Sequence, residues 1–317
     1  WVWAAGAVQD GYETWRAERR AEGYSFQNAD PHVAGFPTAV RATMRQPVVA
    51  APQGWRWEGP VVTGEADLLS PFTVRVTAPG THTLRTVDGR QLTADAKTAH
   101  GRVLLKPAGG VRSGQITLEQ VRLDGLPAGP TRAAALFVAL GPERRPADGP
   151  RELDFTLETD GLDLPQQLET AFGRKIDRLA ARGTLIGQAP RRISRADLQA
   201  WRQRGGEIAV DHLELTWAPV SLEGDGTLSL DDRLRLTGTL DVAVTGLAAG
   251  LDKLAAAGRI ERSAVNYAKL AIAALGRRDQ ASGETVVDVP LSFREGRVYL
   301  GPVPLGRLTP VLPASAG

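Results

Sequence analysis

The stretch that decides the fold reads IAVDHLELTW over residues 208–217 and continues as VSLEGDGTLSL over residues 220–230. Apolar and polar residues alternate in both segments, which is the pattern of strands with one buried face and one solvent-exposed face. The alternation changes phase at Asp211–His212, as a β-bulge produces. A third run follows, with apolar residues at Leu234, Leu236, Leu240, Val242 and Val244. The three runs together predict antiparallel strands.

Glycine, proline and aspartate mark the predicted breaks between strands. We interpret Gly224–Asp225–Gly226 and Asp231–Asp232 as turns, and Asp88–Gly89 as the turn of a hairpin in the first half. Gly141–Pro150 contains three prolines and two glycines, so we predict a surface loop there.

Similar alternation occurs over much of residues 61–140 and again at the C-terminal end. We therefore predict a mainly β protein with a few helices (α+β), built on long curved antiparallel sheets. We divide it into 1–165, an N-terminal helix plus antiparallel sheet, and 166–317, a second helix-plus-sheet half. The helices of the second half are expected near 195–205, 247–257 and 261–275. The two halves share a weak sequence similarity, since Trp15–Arg16 and Trp201–Arg202 each precede glycine and then a predicted β-region. This leaves open that the halves are related and form a half-barrel or groove.

Composition excludes several kinds of chemistry. The chain has no cysteine, so it has no disulfide, zinc–thiolate site, iron–sulfur cluster or cysteine nucleophile. No two of its four histidines lie three to five residues apart, and it has neither a Walker A motif nor a nucleophile elbow. With 38 basic and 36 acidic residues, the net charge is only +2, which does not favour nucleic-acid binding. We expect no enzyme activity, catalytic residue, metal or cofactor.

The first residues have the composition of a segment that leaves a membrane. Three of the seven tryptophans lie within the first 15 residues, and the chain starts at Trp1 instead of methionine. One face of the predicted helix carries Trp1, Ala4, Val8, Tyr12 and Trp15. We interpret this face as the exit from a removed N-terminal anchor or signal, since Trp and Tyr are enriched at membrane interfaces. The alternative is an amphipathic helix that packs on its own sheet, and both can hold together.

Motifs of turn glycines and tryptophans carry a resemblance to a known family. They are Gly35–Phe36–Pro37, Trp201, Gly205–Gly206, Trp217–Ala218–Pro219, Gly224–Asp225–Gly226, Leu230–Asp231, Gly238, Leu240, Gly246, Gly296–Arg297–Val298 and Leu300–Gly301–Pro302. With them the chain resembles an alphaproteobacterial periplasmic envelope family of unknown function, AsmA-like in style. The resemblance implies an inner-membrane anchor, a periplasmic β-rich body and an apolar groove that carries lipid. It implies no catalytic residue.

A curved sheet suggests how such a protein works. Where helices cover only part of its apolar face, an acyl chain can lie there, each buried CH₂ contributing about 0.8 kcal/mol. Our leading hypothesis is a non-enzymatic protein, periplasmic and anchored in the inner membrane, that binds or transfers a lipid or other hydrophobic ligand. The residues expected to line the groove are Trp55, Trp57, Leu215, Trp217, Leu240, Val242 and Val244. For each of them the alternative is an ordinary core position.

Two other functions stay open. The chain can be a structural or interaction module that binds another envelope protein, or, less favoured, a carboxylate-dependent hydrolase whose acids come from distant strands. Lipid binding predicts an open apolar cavity, an interaction module predicts a filled core, and a hydrolase predicts a polar cleft.

Overall fold

A computed structural model of the protein describes residues 2–107, 110–147, 149–168, 170–189, 194–278 and 283–311. The fold is mainly β with a few helices, as predicted, and its long antiparallel sheet is curved and not closed. The helices are α1 (Val2–Ala21), α2 (Arg195–Gln203), α3 (Leu247–Ala256) and α4 (Arg262–Leu275). None of the helices in the described ranges combines the length and the apolar character needed to cross a membrane.

The strands follow one another from the end of α1 to residue 307. They are β1 (Ser25–Gln27), β2 (His32–Ala34), β3 (Ala39–Met44), β4 (Val48–Ala50), β5 (Arg56–Glu58), β6 (Val62–Asp67), β7 (Thr73–Thr77), β8 (Gly80–Arg85), β9 (Gln91–Leu105), β10 (Val111–Asp124), β11 (Thr131–Arg144), β12 (Glu152–Asp163), β13 (Lys175–Ile186), β14 (Glu207–Trp217), β15 (Val220–Leu230), β16 (Leu236–Thr245), β17 (Arg277–Arg278), β18 (Thr285–Arg294), β19 (Arg297–Leu300) and β20 (Val303–Arg307).

Contacts along the chain group it into two compact units. The first unit comprises Trp1–Ala139 with Pro165–Gln167, and the second comprises Leu140–Leu164 with Leu168–Gly317. The domain boundary that we placed near residue 165 stays a prediction.

The long strand β9 organises the first unit. One edge of β9 pairs with β10, and its other edge pairs with β8 over residues 91–96 and with β7 over residues 100–104. From β8 the pairing continues through β5 and β4 to β1, and from β7 through β6 and β3 to β2. The buried side chains are small, chiefly alanines such as Ala39, Ala96 and Ala99.

Helix α1 packs on this unit through its aromatic side chains. The Trp15 ring lies 5.4 Å from the Phe26 ring, and the Tyr12 hydroxyl donates a hydrogen bond to the Ala29 carbonyl. The contacts of Tyr12 and Trp15 are those expected for an amphipathic helix that packs on its own sheet. Trp1, the first residue of the predicted face, lies outside the described residues.

The second unit is an antiparallel meander. Neighbours pair in the order β12, β13, β14, β15, β16, β18, β19 and β20. The predicted bulge at Asp211–His212 is confirmed, because the β14–β15 register shifts between Val210 and Leu213.

One predicted break is wrong, and another is shorter than expected. β15 runs unbroken through Gly224–Asp225–Gly226, because glycines in this strand make room for side chains of the next one. The Gly141–Pro150 loop is shorter than expected, since β11 continues to Arg144. Arg144 bonds to Asp154 at 2.6 Å and Glu143 to Arg151 at 3.0 Å, so ion pairs hold the two chain segments together beyond Gly141.

Candidate functional site

An apolar pocket of about 550 Å³ lies within the second unit. Its floor is the face shared by three neighbouring strands. Leu215 of β14 stands opposite Leu222 of β15, which in turn stands opposite Val244 of β16. Directly opposed residues project to the same side of a sheet, so the register brings these side chains together.

Helix α3 forms one wall. Leu247, Gly250 and Leu254 line the pocket, and their spacing of three and four puts them on one helix face. The helix lies close to β15: a Cβ on Gly250 would stand 2.5 Å from the Val220 Cγ2 atom. Glycine at position 250 thus lets α3 approach the end of the β14–β15 hairpin.

A second wall comes from the segment that precedes β13. Phe172 packs edge-on against Trp217, with ring centroids 5.5 Å apart, and the Trp217 indole N–H donates to the Gly173 carbonyl at 3.1 Å. The hydrogen bond leaves the indole ring free to contribute apolar surface to the pocket, because its one polar atom already has a partner.

The remaining side is built by the last two strands. Leu300, Pro304 and Leu305 line it, together with Arg297 and Arg307. Ile260 and Arg259, from the connection between α3 and α4, also line the pocket. The pocket therefore combines aliphatic and aromatic walls with guanidinium groups.

The predicted lining residues do not share one place. Leu215, Trp217 and Val244 line the pocket, and Val244, whose side chain is fully buried, also belongs to the core of the second unit. Leu240 and Val242 are each only 2% exposed and belong to the core of the second unit. They fill the space above Gly224 and Gly226, where an added Cβ would stand 2.7 Å from Val242 Cγ1 and 3.1 Å from Leu240 Cδ2.

Trp55 and Trp57 lie in the first unit. Trp55 contacts the Tyr24 ring edge-on with centroids 6.1 Å apart, and Trp57 stacks on His82 at 5.9 Å. Both tryptophans thus pack against aromatic rings of the first unit and do not line the pocket of the second unit.

Sequence reasoning missed much of the pocket. The signal for Val220 and Leu222 was present, since both continue the alternation that points to Leu215 and Trp217. Leu247 and Leu254 also show a helical spacing. Arg297 and Arg307 gave no such signal, because strand pairing alone brings them together across ten residues of chain.

Several carboxylates in each unit are held in ion pairs by arginines, which bears on the hydrolase alternative. In the first unit, Arg75 bonds to Asp67 at 2.9 Å and to Glu65 at 3.1 Å. Hydrogen bonds from Arg41 and then Arg75 lower the pKa of Glu65, and a hydrogen bond from Arg75 lowers that of Asp67. A general acid needs a raised pKa, so this pair is unsuited to that role.

The second unit has a similar arrangement around Arg178. Its guanidinium lies 2.9 Å from Glu214 and 3.0 Å from Asp160. The hydrogen bonds that Arg178 donates to Glu214 and then to Asp160 raise the pKa of Arg178 above its usual value, and this arginine holds both carboxylates in ion pairs. No cluster of three or more metal-ligating side chains occurs in the part of the chain that the structure describes.

The fold and the site define only a mainly β protein whose second unit contains an apolar pocket. The comparison with family models places it more narrowly. Residues 1–309 match the family described as "Uncharacterized protein conserved in bacteria" (DUF2125), and the chain belongs to this bacterial family. The chain matches no curated protein and no solved structure.

Proposed function

We propose that the protein binds a lipid or another hydrophobic molecule, without covalent chemistry, in the pocket of the second unit. The observation that supports this is the pocket itself. Its volume of about 550 Å³ falls within the roughly 300–1,000 Å³ typical of small-molecule sites. Leu215, Leu222 and Leu254 present the aliphatic surface that an alkyl chain needs.

The setting in the cell is part of the same proposal. The protein acts as a non-enzymatic component of the alphaproteobacterial periplasm, anchored in the inner membrane, and binds or transfers lipid in the manner of AsmA-like proteins. The motifs from Gly35–Phe36–Pro37 to Leu300–Gly301–Pro302 support this setting. Fractionation of the producing bacterium tests it: we expect the protein in the inner-membrane fraction, and recovery from the cytoplasm contradicts the proposal.

Binding is tested with the purified protein. Organic extraction followed by mass spectrometry is expected to recover a lipid, and a fluorescent fatty acid is expected to bind and brighten. If no lipid co-purifies and no fluorescent fatty acid binds, the proposal is wrong.

A pair of leucine variants localises the binding. Leu254→Trp places an indole in the pocket and is expected to weaken fatty-acid binding about tenfold or more, which corresponds to roughly two methylene groups no longer buried. Leu270→Trp is the matched control, since Leu270 lies on α4, is 69% exposed and does not line the pocket. Equal losses in the two variants would contradict this site.

A second candidate function is binding to another envelope protein, and one surface favours it. Leu69 is 99% exposed and Phe36 is 74% exposed. Their loops are joined by a hydrogen bond of 3.1 Å from the Leu68 N–H to the Thr38 carbonyl. A photo-crosslinking residue at position 69 tests this function in cells, with position 116 as an exposed control. Cross-linking to one envelope protein from position 69 alone supports it.

A further inference from the structure

The pocket carries an uneven distribution of charge. Arg259, Arg297 and Arg307 line it, whereas none of the lining residues that the structure describes is an aspartate or a glutamate. All three arginines are exposed to solvent. The pocket thus has an apolar interior and positive charge among its lining residues.

Two of these arginines stand side by side. Arg297 is the direct partner of Arg307 in the antiparallel pairing of β19 with β20. Like charges directly opposite each other destabilise a strand pair. Among the residues that the structure describes, neither arginine has a carboxylate within ion-pair distance, in contrast to Arg178, Arg235 and Arg277 of the same unit.

An anion at this position removes the repulsion. Guanidinium groups bind carboxylates and phosphates with parallel hydrogen bonds, and two neighbouring groups can share one anion. The apolar walls beside them suit an alkyl chain attached to that anion.

We propose that the pocket selects an amphiphile with an anionic head group, a carboxylate or a phosphate. The alkyl chain lies among Leu215, Leu222 and Leu254, and the head group binds at Arg297 and Arg307. This inference rests on the proposed lipid binding and adds the class of ligand.

The test compares ligands that share a chain and differ in the head group. Dodecanoate, dodecyl phosphate and dodecanol each compete with 1-N-phenylnaphthylamine, an uncharged fluorescent probe, at pH 8 and low salt. We expect both anions to displace the probe at concentrations about tenfold lower than dodecanol. Added salt is expected to weaken the two anions and to leave dodecanol unchanged.

Variants assign the preference to the arginines. Arg297→Gln and Arg307→Gln are each expected to reduce the preference for dodecanoate over dodecanol by at least about threefold, with little change for dodecanol. Arg233→Gln is the matched control. Arg233 is an exposed arginine in the turn after Leu230, at the opposite end of the β15–β16 pair from the Ser221–Thr245 partners.

The outcomes separate the two proposals. Equal binding of dodecanoate and dodecanol overturns the anionic preference and leaves the proposed lipid binding in place. If the probe and all three amphiphiles fail to bind, the proposed function is wrong and the inference falls with it. Inorganic phosphate serves as a head group without a chain. If it displaces dodecanoate at the same concentrations, the arginines serve a free anion and the amphiphile assignment is overturned.

Discussion

At the scale of single residues, the packing of Leu240 in the core depends on a glycine at the position opposite it. Gly226 stands directly opposite Leu240, and a Cβ on this glycine would lie 2.8 Å from the Leu240 Cα atom. The leucine side chain is thereby packed into the core beside Val210 and Leu291, away from the pocket.

Leu240→Ala is expected to lower the free energy of unfolding by about 2–5 kcal/mol, because it leaves a cavity in a packed core. Denaturant unfolding measures the loss. The control is Leu140→Ala, at a leucine that is 47% exposed, for which a change within roughly 0.5 kcal/mol is expected. If Leu240→Ala were as mild as the control, its place in the core would be wrong.

Asp231 gives the protein a pH-dependent turn. Its carboxylate accepts hydrogen bonds from the Arg233 and Arg235 N–H groups, both at 2.9 Å, and from the Arg235 side chain at 2.7 Å. Burial acts to raise the pKa of Asp231, but the hydrogen bonds from Arg235 and Arg233 outweigh it and the pKa is lowered.

Because the folded-state pKa is depressed, Asp231 stabilises the fold above the unfolded value of about 4, and this contribution is lost as the pH falls through the folded-state value. We expect Asp231→Asn to destabilise the protein at pH 7 and to lose less of its remaining stability than the parent between about pH 4 and pH 2. Denaturant midpoints across this range measure both effects. Asp232→Asn is the control: it removes a neighbouring carboxylate, paired with Arg202 at 2.6 Å, and leaves the bonds of Asp231 intact.

At the scale of elements, the sequence predicts strands well where alternation is strict. The bulge at Asp211–His212 and the hairpin at Asp88–Gly89 follow directly from local pattern. The sequence predicts a turn at Gly224–Asp225–Gly226, because nothing in the local sequence distinguishes a glycine inside a strand from a glycine in a turn. Its role depends on Val242 and Leu240, which lie on another strand. The pocket was only partly predictable for the same reason, since alternation tells which face is dry and not what fills it.

Two glycines flank α3 and allow a test of how this wall is held. Gly246 and Gly258 have left-handed backbones, with φ of 69° and 68°. A Cβ on Gly246 would meet the Pro219 carbonyl oxygen at 1.8 Å, whereas a Cβ on Gly258 would meet nothing within 4 Å. The two positions therefore share the backbone conformation and differ in space.

Gly258→Ala is expected to cost about 1–2 kcal/mol from the left-handed backbone alone. Gly246→Ala is expected to cost more, because α3 must also move away from the β14–β15 hairpin. The displaced helix carries Leu247 and Leu254, so fatty-acid binding should weaken in Gly246→Ala and stay unchanged in Gly258→Ala. Denaturant unfolding and probe binding measure the two effects, and equal behaviour of the variants would contradict the close approach.

At the scale of the whole molecule, the cores of the two units differ in residue composition. Among the described residues, the buried apolar side chains of the first unit are alanines together with Val40, Pro47 and Val121. Those of the second unit include Trp201 and many leucines, such as Leu222, Leu234 and Leu240. Burying a leucine contributes about 1.5–3 kcal/mol, far more than burying an alanine, so apolar burial stabilises the second unit more strongly.

We expect the units to open at different denaturant concentrations, and a ligand to act on one of them. In hydrogen exchange followed by mass spectrometry in rising urea, amides of β9 and β10 should lose protection before those of β15 and β16.

Dodecanoate at about 100 times its Kd is expected to raise the opening free energy of the second unit by about 2.7 kcal/mol and to leave that of the first unchanged. In Leu254→Trp, at the same dodecanoate concentration, this rise should fall to about 1.4 kcal/mol or less, because binding is expected to be about tenfold weaker or more. Simultaneous loss of protection in both units would show that the small core of the first unit is as well supported as the leucine core of the second. A ligand effect confined to β9 and β10 would place the binding site outside the pocket of Leu215, Leu222 and Leu254.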